Sequence, residues 1–377
     1  MTAALDDITI LEFASYVSGP YAGMLLGDLG AEIIKIEDNK SGDSFRGWGA
    51  ADYSATFGSV NRNKKSIILD LKSEEGRAAA LALAETADVV IENFRPGAMD
   101  RLGLGYDALA AINPRLIYCS ITGFGQDGPL ANRPGYDFLV QAMGGLMSVT
   151  GAADGEPGAG PQKVGVALTD IMTGLYAVIG IQAALADRAQ SGLGQHVDLA
   201  LLDVTAATLA NQATNYLVGG LNPTRLGNAH PNIVPYQSFV AKDGYLIVAV
   251  GNDGQFRRYC QVIGAPELAD DERFQTNRDR VGNRDALVPL LQVKMLERDK
   301  AEWIALLEAA NVPAGPINSV GEVFAEPQIQ ARGMQVNLDH PLNSKLQLVG
   351  NPIKLSRTPV EYRQAPPTLG QHNEDFL

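Results

Sequence analysis

The chain is poor in the residues that hold metals and disulfides. Its 377 residues include four histidines and two cysteines, Cys119 and Cys260. The cysteines stand far apart and show neither C-x-x-C nor metal-ligand spacing. A reduced, cytoplasmic setting without a metal site is therefore expected. Positive charge is also short, since 30 Lys and Arg against 43 Asp and Glu leave a net charge of −13. No broad basic face is available to neutralise phosphates, which argues against a nucleic-acid partner. A small anionic ligand remains open, because a few local arginines and lysines suffice. There is no G-x-S-x-G elbow and no Ser-His-Asp or Cys-His order, so the familiar hydroxyl and thiol nucleophiles are not signalled. The N-terminus, MTAALDD, carries two acids and no basic stretch, and no signal peptide is expected.

What the chain does have is apolar residues, 46% of the total, and enough length for two domains. Through residue 200, short apolar strands alternate with helices. ITILEF (8–13), AEIIKIE (31–37), SIILDL (66–71), ADVVIENF (87–94) and RLIYCSIT (115–122) read as strands. Pro20 opens a helix that Gly30 stops, and Tyr106–Ile112 reads as a short helix. This rhythm predicts an α/β fold with a parallel sheet covered by helices. GAADGEPGAGP (151–161) reads as a flexible loop. Gly219, Gly220 and Pro223 mark a linker. Beyond about 225 the texture becomes that of a smaller α+β domain. The segments MQVNL and LQLVGNPIKL near the C-terminus look strand-like and are followed by a polar tail.

Asp170 is the only charged side chain between Val164 and Ala186. That run is long enough to suggest a membrane span, but its Asp, Thr, Gln and three Gly favour a buried helix and no membrane. A lone carboxylate in so apolar a stretch is costly unless something holds it. As a helix N-cap it would satisfy orphan N–H groups and stay ionised in the positive end of the helix dipole. The same arrangement leaves an accessible carboxylate that can serve as a nucleophile in acyl transfer.

Other motifs are weaker. GFGQDG (123–128) matches G-x-G-x-x-G, but Pro129 and Pro134 disfavour the helix a dinucleotide site needs. NRNKKS (61–66) is the densest basic cluster and reads either as a solvated turn or as a phosphate spot. Asn93, Arg95 and Arg101 fall after a strand end, where open α/β sheets bind ligands. GNDGQ (251–255) is good turn chemistry. It could also act as a lid presenting backbone amides.

Taken together, LEFASYVSGPYAGMLLGDLGAEIIKIE, NRNKKSIILDLK, ENFRPGAMDRLGLG, TGFGQDGP, the Asp170 helix, GLGQHVDLALLD and LGQHNEDFL resemble the class III CoA-transferases, the superfamily of formyl-CoA transferase, carnitine CoA-transferase and α-methylacyl-CoA racemase. The resemblance implies a Rossmann-like large domain (1–200 and 325–377), a linker (201–224), a smaller α+β domain (225–324) and an interlocked homodimer. It implies CoA transfer from an acyl-CoA to a small carboxylic acid, with a dicarboxylate as the candidate acceptor. Coenzyme A thioesters would be substrates and no tightly bound cofactor would be needed. It places the nucleophile at Asp170, which would pass through an aspartyl-CoA thioester. It places CoA contacts at Val17, Ser18, Leu69, Asp70, Leu71, Lys72, Asn93, Phe94, Arg95, Arg101, Tyr136 and Asp137. The lid falls at Gly251, Asn252, Asp253, Gly254 and Gln255.

The chain departs from the family pattern at Asp38, where many members have Arg, and at Val17, where the formyl-CoA enzyme has Gln. The alternatives are an α-methylacyl-CoA racemase or epimerase and a non-catalytic CoA-binding homologue. The racemase His is replaced by Tyr136, and a phenol, whose pKa lies near 10, is a poor base at neutral pH. Transfer is therefore favoured.

Overall fold

The computed structural model describes residues 3–48 and 53–377. The chain forms two compact units. The first comprises residues 1–147, 163–222 and 327–377, and the second 148–162 and 223–326.

The first unit is built on six parallel strands. These are β1 (Thr9–Glu12), β2 (Glu32–Glu37), β3 (Lys64–Ile68), β4 (Val89–Glu92), β5 (Ile117–Thr122) and β6 (His196–Ala200), in the order β3-β2-β1-β4-β5-β6. The order reverses between β1 and β4, the doubly wound arrangement whose ligand crevice lies outside the carboxyl ends of those two strands. Every residue of β4 and β5 is buried, as expected of strands covered on both faces. Helix α1 (Ser18–Asp28) follows β1 and starts two residues before Pro20.

Two lysines and a glutamate break the apolar pattern of the sheet. Glu12 and Lys35 are register partners on β1 and β2, Lys64 reaches the same glutamate from β3 opposite Ile33, all three are fully buried, and Asp43 joins them. Lys35 Nζ meets Glu12 Oε1, Asp43 Oδ2 and the Ala14 carbonyl at 2.9, 2.9 and 2.7 Å. Lys64 Nζ meets Glu12 Oε2 at 2.7 Å and donates to the Pro20 carbonyl at 2.8 Å. Two cations against two anions make the cluster formally neutral, which is how buried charge is tolerated. Desolvation and the neighbouring Lys35 charge pull Lys64 down to about 8, even though Glu12 opposes them. The sequence reading of NRNKKS as a solvated turn or phosphate spot is corrected here. Arg62, Asn63 and Lys64 are buried, and the Arg62 guanidinium is held by Asp28 at 2.6 Å.

Helices α2 (Asp137–Met143), α3 (Leu168–Ser191), α4 (Leu201–Thr208) and α5 (Ala210–Gly219) complete the part of the unit nearest the site. α3 buries one face through Thr173, Ala177, Ile181 and Ala184. It is long and apolar enough to cross a membrane, yet that face is part of the core under β4 and β5. Its opposite face exposes Leu175, Tyr176 and Ile179.

The edge strand β3 is closed by the C-terminal segment. His372 Nδ1 accepts from Ser66 N at 3.1 Å, His372 N donates to Ser66 O at 2.9 Å, and Asn373 Oδ1 accepts from Ile68 N at 2.9 Å. An open strand edge is an aggregation template, and these bonds cap it. The strand-like segments near the C-terminus pair as β10 (Gln335–His340) and β11 (Asn343–Val349), an antiparallel hairpin.

The second unit holds an antiparallel sheet of β7 (Tyr236–Ala241), β8 (Gly244–Ala249) and β9 (Ala314–Pro316). Its core is built around Phe239, Phe256, Tyr259, Leu291 and Trp303. The boundaries differ from expectation in two places. Residues 201–222 are not a linker, since Leu201, Val204 and Thr205 are buried in the first unit as part of α4. The Gly-rich loop belongs with the second unit, where Gly227 N donates to Gly151 O at 3.0 Å and Arg225 pairs with Asp154.

Candidate active site

The crevice between β1 and β4 is tied across its floor by one side chain. Asn93 Oδ1 accepts from Ser15 N at 3.0 Å, and Asn93 Nδ2 donates to Ser15 O at 2.7 Å. The next residue, Tyr16, has φ +68°, a left-handed conformation that costs a non-glycine residue about 1 kcal/mol or more. Asp43 holds it there, because its Oδ1 accepts from the amides of Tyr16 and Phe45 at 3.4 and 3.0 Å. The buried Lys35 in turn anchors Asp43. The β1–α1 loop is thus fixed from beneath by the ionic cluster, and Ser18 emerges from it at the head of α1.

Asp170 lies in the first turn of α3, not at its cap. The N-cap is Ala167, whose methyl side chain cannot accept a hydrogen bond. The free amides are satisfied instead from α2, as Asp137 Oδ1 accepts from Thr169 N at 2.9 Å and from Asp170 N at 3.3 Å. Gln141 Nε2 holds the other Asp137 oxygen at 2.7 Å, and Gln141 Oε1 accepts from Val164 N at 2.9 Å. Close packing brings α1 onto α3 here. A Cβ on Gly174 would stand 2.8 Å from the Ser18 carbonyl, so only glycine allows that approach. The Ser18 side chain then lines the cavity beside the Asp170 carboxyl and favours its ionised form.

The expectation that Asp170 is an N-cap kept ionised is therefore corrected. Burial and the neighbouring Asp137 charge push its pKa up to about 7, with the Ser18 side chain opposing them. The cause is physical: the carboxyl is desolvated, and the hydrogen-bond donors that would have stabilised its charge are spent on Asp137. A carboxylate so poised is more basic than usual and hence a better nucleophile.

Asp170 opens into a cavity of about 670 Å³ in the first unit. Val17, Ser18, Asn93, Phe94, Arg95, Tyr136 and Asp137 line it, as does Asp170. The remaining residues proposed from sequence are elsewhere. Leu69 is buried in the core, so it can offer a ligand only its backbone. Asp70 is engaged by Asn39 and by the Lys72 amide. Leu71 and Lys72 follow β3 outside the cavity wall, and Arg101 is exposed at the end of the short helix Ala98–Arg101. Asp38 closes a turn by accepting from the amides of Lys40, Ser41 and Gly42.

The segment 251–255 is not an open loop. Asp253, Gly254 and Gln255 begin α6 (Asp253–Val262), Asn252 caps it through Gln255 N, and Asp253 pairs with Arg280 at 2.8 Å. These bonds tie the Asn252 and Asp253 side chains and the Gln255 amide into a helix start.

Sequence reasoning missed Tyr16, Phe45, Trp48, Thr122, Arg133 and Leu201, which also form the cavity wall. Arg133 carried a usable signal, a basic residue in the loop between the strand ending at Thr122 and the helix starting at Asp137. The aromatic residues carried none, since Tyr16–Phe45 and Tyr16–Tyr136 ring contacts at 5.6 and 6.2 Å join distant segments. GFGQDG is a loop, not the start of a helix. A Cβ on Gly123 would stand 2.6 Å from Gly135 Cα. That close approach seats Tyr136 and Asp137 over the end of β5. Among the described residues, no group of three or more His, Cys, Asp or Glu is placed to hold a metal ion.

A doubly wound sheet with a buried carboxyl in its crevice defines a class of ligand-binding α/β proteins, and comparison with known proteins narrows it. The profile of CoA-transferase family III matches residues 5–373, and the chain belongs to that family. It is 48% identical to the succinate–glutarate CoA-transferase of Agrobacterium fabrum, over 99% of this chain and 94% of that protein. It is 42% identical to the acetyl-CoA:oxalate CoA-transferase of Acetobacter aceti, over 93% and 89%. The crystal structure of a CaiB/BaiF family protein from Brucella suis superposes with a TM-score of 0.87 at 47% identity, covering 100% of this chain and 98% of that one. The protein is a class III CoA-transferase, an enzyme that moves CoA between an acyl-CoA and a carboxylate.

Proposed function

We propose that Asp170 is the nucleophile of this transfer and that the exchanged acids are dicarboxylates of four and five carbons. The observation that carries the first part is the placement of Asp170, buried enough to be basic yet open to a cavity at the crevice of the sheet. The second part is supported by the names of the related succinate–glutarate and succinyl-CoA:glutarate transferases.

The steps balance without a redox or metal partner. An Asp170 oxygen attacks the acyl carbon of the donor thioester, the C–S bond breaks, and CoA leaves as a thiolate. The product is a mixed anhydride. The thiolate attacks the Asp170 carbonyl and expels the donor acid as its carboxylate, leaving an aspartyl-CoA thioester. The acceptor carboxylate attacks that carbonyl and frees the thiolate, which then takes the new acyl group and restores the Asp170 carboxylate. Both intermediates hydrolyse readily, so exclusion of water matters. Phe94, Tyr16 and Tyr136 supply apolar wall for this purpose. Val17 and Asn93–Arg95 are proposed to hold CoA. Residues 251–255 keep a proposed role in excluding water, now as a helix start.

The interlocked homodimer is likewise proposed. It would give a cover to Leu175, Tyr176 and Ile179 on α3 and to Leu217 and Val218 on α5, which are exposed in the single chain. Sedimentation equilibrium tests it.

Mass analysis of the protein after incubation with succinyl-CoA tests the mechanism. A CoA-sized adduct on the Asp170 peptide, absent in Asp170→Asn, is expected. CoA binding with turnover but no adduct overturns the covalent route.

A further inference from the structure

The cavity wall carries two guanidinium groups, from Arg95 and Arg133, and two carboxyl groups, from Asp137 and Asp170. The arginines are not there to neutralise those acids. Both Asp137 oxygens are spent on the amides of residues 169 and 170 and on Gln141. Asp170 has Ser18. Among the described residues, neither arginine side chain is in an ion pair with a carboxylate. Arg133 lies with its guanidinium 5.9 Å over the Phe124 ring, so its head group is steadied by an aromatic face while its donors stay free. It stands on the same stretch of wall as Asp137, the residue bonded to the Asp170 amide.

A monocarboxylic acyl chain needs no cation in this cavity. A dicarboxylic chain brings a second negative charge beside two acidic residues, and that charge is repelled unless something pairs it. We propose that Arg133 pairs with the distal carboxylate of the acyl group through its planar fork, and thereby selects dicarboxylic over monocarboxylic acids. Arg95, on the β4 loop, remains with CoA. This inference rests on the CoA-transfer reading given above and adds the residue that sets its substrate class.

The test compares glutarate with pentanoate as acceptors, which have equal chain length and differ in one terminal carboxylate. Succinyl-CoA is the donor throughout, and the readout is the ratio of the two kcat/KM values. Arg133→Gln is expected to lower that ratio by about 30-fold or more, and Arg133→Lys to restore part of it. Arg95→Gln is expected to weaken both acceptors alike. Arg133 is exposed, so an unchanged melting temperature checks that the variants fold. Two results overturn the inference: a ratio unchanged in Arg133→Gln, whether or not both acceptors fall together, or a ratio set by Arg95 instead. A wild-type enzyme that transfers CoA to pentanoate alone would also overturn it. Failure of the underlying reading looks different, since no transfer to any carboxylate would then occur.

Discussion

The carboxylate of Asp137 holds the backbone of Asp170, accepting its amide at 3.3 Å and that of Thr169 at 2.9 Å. One acid therefore orients the helix that carries the other and raises its pKa through its charge. Asp137→Asn keeps an oxygen for the two amides and removes the charge. The acid limb of the kcat/KM profile should move down by about one pH unit, where one unit corresponds to 1.36 kcal/mol. Asp137→Ala should also lose the cap, at about 1 kcal/mol of stability. A pH–rate series beside urea unfolding separates the two effects.

The Ser18 hydroxyl acts in the opposite direction, because it stabilises the ionised Asp170. Ser18→Ala should shift the acid limb upward by about half to one pH unit, the worth of one neutral hydrogen bond. The rate at high pH should change less than the rate at pH 6.

The wild-type profile itself should rise through about pH 7, since the proposed nucleophile must be ionised and its pKa is pushed up to about 7. An acid limb near pH 4 would count against the burial argument.

Stability carries the reverse signature. The folded-state pKa of Asp170 lies above its ordinary value of 3.8, so between roughly pH 4 and 7 the folded state binds more protons than the unfolded one. Its ionisation therefore costs stability as the pH rises through that window. Asp170→Asn, which cannot ionise, should be more stable than wild type by about 1–2 kcal/mol at pH 8. The two should be nearly equal at pH 4. Denaturant midpoints at the two pH values check this.

Lys35→Met leaves Asp43 buried without its ion-pair partner. A loss of about 3–5 kcal/mol is expected, the usual result of removing one side of a buried pair. The Tyr16–Ser18 loop should loosen with it, visible as faster amide exchange at Tyr16, which Asp43 holds.

The alternation of apolar runs and Gly- or Pro-marked turns was enough to anticipate the strands of the parallel sheet, including HVDLA at 196–200 running into a helix, and Tyr106–Ile112 was legible as a helix from its sequence. Those features depend on neighbours a few residues away. Asp170 was legible for the same reason, as one charge in an apolar run. Its protonation was not. The donor that could have kept it ionised was taken by Asp137, 33 residues earlier in the chain.

The burial of Arg62 and Lys64 was equally out of sight. Their partners Asp28 and Glu12 lie on other elements, so a local count of charge reads as solvent. The helix at 253 was hidden because Asn-Asp-Gly suits a turn and a helix start equally well.

The sequence alone determined which segments could be strands and which carboxyl stood isolated, since periodicity and local charge are properties of neighbours. Only the tertiary structure decided how that carboxyl is protonated, which arginines share its cavity, and which charges are buried. Desolvation and Coulomb interactions depend on distance in space, and it is packing that brings residues 18, 133, 137 and 170 together.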